Sequence, residues 1–138
     1  GLTTALDEAL RGPVLADSDR CQALFEAVAR TESVEFVFDG PALYGRQRQL
    51  FERLATAMAR CPGFAVEIGG HTSGGGDPEA ARALAERWAQ AVAEAMMRAG
   101  AERPRLRTVG YGNSRPVADI TTEAGRQRNR RIVFRIVS

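Results

Sequence analysis

Lysine is absent from this 138-residue chain, and all 19 of its basic side chains are arginine. The bias is expected from GC-rich codon usage rather than from chemistry, although arginine does favour carboxylate and phosphate contacts. Set against 17 acidic residues, it leaves a net charge of only +2, too little to demand an acidic partner. Histidine occurs once and cysteine twice, which leaves no second histidine and no cysteine pair at a spacing suited to a metal centre. No apolar run approaches the roughly 20 residues that a membrane-spanning helix needs, so direct membrane insertion by this segment is not expected. Gly1-Leu2-Thr3-Thr4 lacks the basic start and apolar core of a secretion signal. The chain therefore reads as a mature or excised segment whose targeting sequence lies outside it. Internal repeats and low-complexity linkers are also missing.

What is present describes one globular domain, 44% hydrophobic and 26% charged. Cys21 and Cys61 each fall near an end of a predicted helix, and an even count suits an oxidising compartment. A bond between them would close a loop of about 40 residues, worth roughly 4 kcal/mol in the chain-entropy treatment. The other reading is two buried free thiols.

Residues 1–16 are weakly patterned and interrupted by Gly12-Pro13, a helical or irregular lead-in. Asp17-Ser18-Asp19 supplies N-caps for a helix to about Arg30, with Leu24, Phe25, Val28 and Ala29 on one face. Val34–Phe38 alternates and predicts a strand, broken by Asp39-Gly40-Pro41. A second helix is predicted over Gln47–Arg60, stopped by Cys61-Pro62-Gly63, and a strand over Phe64–Ile68 follows. Asp77 as N-cap and Pro78 at the first helical position open a long helix that ends at Gly100. Its many alanines predict close packing against a sheet. Leu106–Tyr111 reads as a strand, Thr121 or Thr122 as the cap of a short helix ending near Arg130, and Ile132–Val137 as a last strand. The pattern predicts an α/β sandwich of the α+β kind: a mixed sheet with helices on one face, in β-α-β-α-β-α-β order after a helical lead-in. The lead-in covers residues 1–32 and the main domain residues 33–138.

Several landmarks stand in a familiar order over residues 33–137. They are Phe36-x-x-Asp39-Gly40 with Ala42-Leu43, then Gly70-His71-Thr72, then Gly110-Tyr111-Gly112 with Pro116. Gly125-Arg126-x-x-Asn129-Arg130-Arg131 closes the series before the terminal strand. Together they resemble the OmpA-like domain, the peptidoglycan-binding module of the OmpA C-terminal, Pal and MotB type. The resemblance implies a non-catalytic, cofactor-free periplasmic module in an outer-membrane or envelope-anchored protein. It also implies a ligand, the diaminopimelate residue of peptidoglycan, held by an acid after Gly-His-Thr and an arginine fifteen residues later.

Here those two positions are Ser73 and Trp88, and the asparagine often found before the arginine segment is Ala81. Both charges are gone. Charge-assisted hydrogen bonds contribute roughly 1.5–3 kcal/mol each, so losing two weakens binding by about 100- to 10,000-fold. Arg87 is adjacent, but one residue turns a helix by about 100°, which sends its side chain to another face. Asp77 is accounted for as a helix cap. The altered family site therefore comprises Thr72, Ser73, Trp88, Asn129 and Arg130, with Arg126, Arg128 and Arg131 as a possible basic patch.

Each of these residues also has a plainer reading. Trp88 either fills the former pocket, stacks on a sugar or partner, or simply packs on the adjoining loop. Gly74-Gly75-Gly76 lacks the Lys-Ser/Thr continuation of a phosphate loop and reads as a mobile turn. His71, alone in its turn, reads as structural, and Ser73 has no evident base for nucleophilic chemistry. The arginines lack the aromatic interleaving and net charge of a nucleic-acid surface. The sequence thus predicts an envelope module that binds peptidoglycan weakly or not at all and acts in a structural role or in contact with another envelope protein. The alternative is a wall anchor using altered chemistry around Thr72, Trp88 and Asn129–Arg131.

Overall fold

A computed structural model describes residues 2–138; Gly1, the first residue of the lead-in, lies outside them. Helices α1 (Leu2–Arg11), α2 (Ser18–Ala29), α3 (Gly40–Arg46) and α4 (Arg48–Arg60) precede strand β1 (Ala65–His71). Helix α5 (Pro78–Arg98), β2 (Leu106–Gly112), α6 (Glu123–Asn129) and β3 (Arg131–Val137) complete the chain. The sheet order is β2-β1-β3, with β1 parallel to β2 and antiparallel to β3.

Side chains alternate across the sheet. Val66 and Ile68 of the central strand join Phe134 in the core, against Phe25, Phe51, Leu54, Val92 and Met96 of the helices. Glu67, Gly69 and His71 point to the opposite, helix-free face. The expected mixed sheet with helices on one face is thus what forms. Leu6 and Leu10 of α1 and Leu24, Phe25 and Val28 of α2 lie in the same core as the later elements.

The alanine-rich helix packs as its composition predicts. Ala81, Ala85 and Ala89 are buried, and the strand residues opposite are glycines. A Cβ on Gly70 would run into the Ala85 carbonyl, one on Gly110 into the Arg82 carbonyl, and one on Gly112 into the Arg82 amide. The α5 backbone therefore rests almost directly on β1 and β2. Asp77 caps α5 by accepting from Ala80 N at 3.0 Å, and Gly100 ends it at φ +113°.

A disulfide joins Cys21 to Cys61, with Cα atoms 6.1 Å apart, and ties α2 to the end of α4. The guanidinium of Arg105 closes the same corner. It donates to the carbonyls of Phe64 (3.0 Å), Met58 (2.9 Å) and Cys61 (2.6 Å), placing a cation at the C-terminal end of α4.

The strand predicted over Val34–Phe38 does not form, so the sheet has three strands rather than four. The buried side chain of Gln47 takes up the hydrogen bonds of this stretch, accepting from Glu35 N (2.8 Å) and donating to the Ser33 carbonyl (2.8 Å). Val37 is left 84% exposed. The Asp39-Gly40-Pro41 break is itself a helix start: Asp39 accepts from Ala42 N at 3.2 Å, and the proline fits the first turn of α3. The outer edge of β3 is closed in part by Gln22, which donates to Phe134 O and accepts from Ile136 N, both at 2.8 Å, much as a neighbouring peptide would.

Candidate functional site

The turn after β1 and the α6–β3 junction meet at one end of the sheet, where Asn129 bonds the Ser73 carbonyl. Thr72 enters the turn through its amide, 2.8 Å from Gly112 O; its hydroxyl is buried and has no hydrogen-bond partner. Ser73 follows, half-buried, at the position where the resemblance places an acid. Gly74 and Gly76 have positive φ (110° and 84°), which lets the chain double back towards the Asp77 cap. The loop is not bare: Asn113 donates to the carbonyls of Gly75 (3.3 Å) and Gly76 (3.2 Å).

Asn129 is fully buried, and its amide is spent inside the protein. Its Oδ1 accepts from Val117 N (2.8 Å) and Ala118 N (2.9 Å), while Nδ2 donates to Ser73 O (3.0 Å) and Ala118 O (3.1 Å). It fixes two loops against each other and presents no free group to a ligand. Arg130 is also engaged, donating to Glu123 at 3.1 Å, and Arg126 joins the same carboxylate group. These two guanidiniums hold the Glu123 carboxyl below the usual carboxylate range. Arg128 stands exposed on α6.

Trp88, at the expected arginine position, lies half-buried on α5 and packs on Phe36, ring centroids 4.4 Å apart and planes inclined by 33°. Arg87 beside it is exposed. Beyond Phe36 a cleft of about 210 Å³ opens, lined by Glu32, Val34, Leu50, Arg130, Arg131 and Ile132 among others. Phe36 thus contacts Trp88 and lines the same cleft as Arg130. Asn129 is turned inward.

A polar cluster that the sequence reading did not anticipate occupies the helix-free face of the sheet. Glu67 accepts from the Tyr111 hydroxyl and from Arg135, whose Nε lies at 2.8 Å. Burial pushes the Glu67 carboxyl up, but the hydrogen bonds from Tyr111 and Arg135 outweigh it and hold the carboxyl below its ordinary range. His71 is 4% exposed and stacks on Tyr111 at 5.1 Å. Burial first, then the nearby Arg131 and Arg115, push its imidazole down to about 4. The signal for this cluster was a glutamate inside the apolar run Ala65–Ile68 and an arginine inside Ile132–Val137. Two opposite charges on the same parity of neighbouring strands pair readily.

The OmpA family matches residues 35–130. Outer membrane porin F of Pseudomonas fluorescens is 40% identical over 106 residues, 76% of this chain and 32% of that protein. Outer-membrane lipoprotein YfiB of Pseudomonas aeruginosa is 33% identical over 113 residues, 76% of this chain and 67% of the lipoprotein. The chain therefore spans about a third of the length of the porin. Among solved structures, the peptidoglycan-associated lipoprotein from Burkholderia pseudomallei superposes with a TM-score of 0.67 at 27% identity, over 80% of this chain and 93% of that one. The C-terminal domain of Helicobacter pylori MotB shares the fold at a TM-score of 0.61 and 18% identity.

Proposed function

The chain belongs to the OmpA family, and from that premise we propose that it is a non-catalytic envelope module that keeps the peptidoglycan-binding fold without its diaminopimelate-binding charges. The observation that carries this reading is Trp88 packed on Phe36 where an arginine is expected. An indole closed on a neighbouring ring cannot receive a carboxylate as a guanidinium does. Ser73 offers no charge for an ammonium. With both groups neutral, the module works through contact with another envelope protein, and its hold on peptidoglycan is weak or absent.

The names of the relatives, an outer membrane porin and outer-membrane lipoproteins, support a periplasmic setting, and the Cys21–Cys61 disulfide suits that oxidising compartment. No helix among the described residues is long and apolar enough to cross a membrane. The non-catalytic reading is supported by His71, which is stacked on Tyr111 and held neutral on the helix-free face and has no hydrogen bond to Ser73.

Co-sedimentation with purified diaminopimelate-type sacculi tests this reading. The wild type is expected in the supernatant, and the double variant Ser73→Asp/Trp88→Arg in the pellet. Strong pelleting of the wild type would sink the proposal. It would favour a second reading, a wall anchor with altered chemistry, which rests on the cleft lined by Glu32, Arg130 and Arg131 together with apolar side chains.

A further inference from the structure

The helix-free face of the sheet carries more positive charge than the fold neutralises. Arg107, Arg131 and Arg135 project from the strands there, and Arg115 reaches it from the following loop. Glu67 is the carboxylate that answers them, and it is spent on Tyr111 and Arg135. Arg131 and Arg115 have no carboxylate partner among the described residues.

Their positions are nevertheless fixed. Arg131 stands opposite His71 in the β1–β3 register, so the two side chains are cross-strand neighbours. Its guanidinium donates to Asn129 O at 3.1 Å and to Arg115 O at 3.0 Å, which orients the group while leaving its charge unmatched. The guanidinium of Arg115 lies 4.0 Å over the Tyr111 ring, and Tyr111 in turn stacks on His71. Two guanidiniums are thus held around one aromatic floor. Burial already disfavours the charge on Arg131. The imidazole beneath stays neutral and, with its Nδ1 unpartnered, offers no counter-charge. An oriented and uncompensated cation pair, with Arg131 partly desolvated, is stabilised by an anion whose oxygens can bridge the two forks.

We propose that Arg115 and Arg131 form an oxyanion site on the open face of the sheet, taking a phosphate or carboxylate group over the floor made by Tyr111 and His71. Arg131 also lines the cleft beyond Phe36, whereas Arg115, Tyr111 and His71 do not, so the site shares one residue with that cleft and is otherwise distinct from it.

His71 is the sole histidine of the chain, so its imidazole resonances report on this site without ambiguity. The test is an NMR titration of the 138-residue protein with sodium phosphate, at constant ionic strength maintained with chloride, following those resonances. A saturable response with a midpoint in the millimolar range is expected, together with a rise of the His71 pKa when the anion is bound. Arg115→Gln and Arg131→Gln should each weaken binding about tenfold or more, while Arg20→Gln on α2 leaves it unchanged. A parallel titration with acetate separates the sources: saturation with both anions marks a general carboxylate and phosphate site, and saturation with phosphate alone marks a phosphate site. A linear response to both anions overturns the proposal, as does saturation unchanged by Arg115→Gln. Because Arg115 is exposed and makes no structural side-chain hydrogen bond, that variant decides the matter even if Arg131→Gln fails to fold.

Discussion

Trp88 lies on Phe36 with 4.4 Å between ring centroids, and this one contact joins the long helix to a segment that the sheet does not hold. Residues 33–38 have no strand partner; Gln47 holds one end of the segment and the indole holds its middle. An aromatic pair of this kind contributes about 0.5–1.5 kcal/mol beyond the area it buries. Phe36→Ala should therefore lower the urea midpoint by an amount equivalent to about 1–3 kcal/mol. Because Trp88 is the single tryptophan, its fluorescence maximum should shift to the red in the same variant. An unchanged emission spectrum would mean that the two rings are not packed in solution.

The Cys21–Cys61 bond closes a 40-residue separation and should stabilise the fold by roughly 4 kcal/mol if it acts mainly on the unfolded chain. Reductant should then lower the melting temperature of the wild type and leave a Cys21→Ala/Cys61→Ala variant unaffected. Equal melting curves for the wild type with and without reductant would show that the crosslink adds nothing.

Gly70 tests the contact between β1 and α5. Its missing Cβ leaves room for the backbone of Ala85, an atom set that cannot rotate aside. Gly70→Ala should cost at least about 1–3 kcal/mol, the usual penalty of overpacking, and more if the helix must lift. Gly63→Ala, where a Cβ meets nothing within 4 Å, is the control and should stay within about 0.5 kcal/mol of the wild type in urea unfolding.

The helices were legible because their signals are local. Asp17, Asp77 and Thr122 cap where their positions predict, and Gly100 takes the left-handed conformation that ends α5. The 33–38 segment misled because alternation states only that a stretch can form a strand. Whether it does depends on what satisfies its amides, and the Gln47 side chain is not visible as a competitor in a one-dimensional pattern. Asn129 illustrates the same limit at the candidate site. Its place in Asn-Arg-Arg marked it as a ligand group, yet four internal hydrogen bonds bury it between two loops. Spacing marked Trp88 as the position where the resemblance expects an arginine, while its contact with Phe36, over fifty residues away in sequence, required the fold.

His71 should make the domain acid-sensitive in a defined window. Its imidazole falls from an ordinary 6.5 to about 4 in the folded protein, mainly because burial disfavours the cation. Between those values the unfolded chain takes up a proton that the folded chain excludes. Stability is therefore complete above pH 6.5, declines as pH falls towards 4, and has then lost at most about 3 kcal/mol from this group. Glu67 acts at the lower end of the range. Its folded carboxyl is held down, so its contribution is present above the unfolded carboxylate value and is lost as pH falls further, through its folded value. The two are separable by His71→Phe, which keeps a ring against Tyr111 and removes the titrating group. Urea unfolding from pH 7.5 to 4.0 should show a falling midpoint in the wild type and a nearly flat one in His71→Phe down to about pH 5. Parallel slopes in the two proteins would place the acid sensitivity elsewhere in the fold.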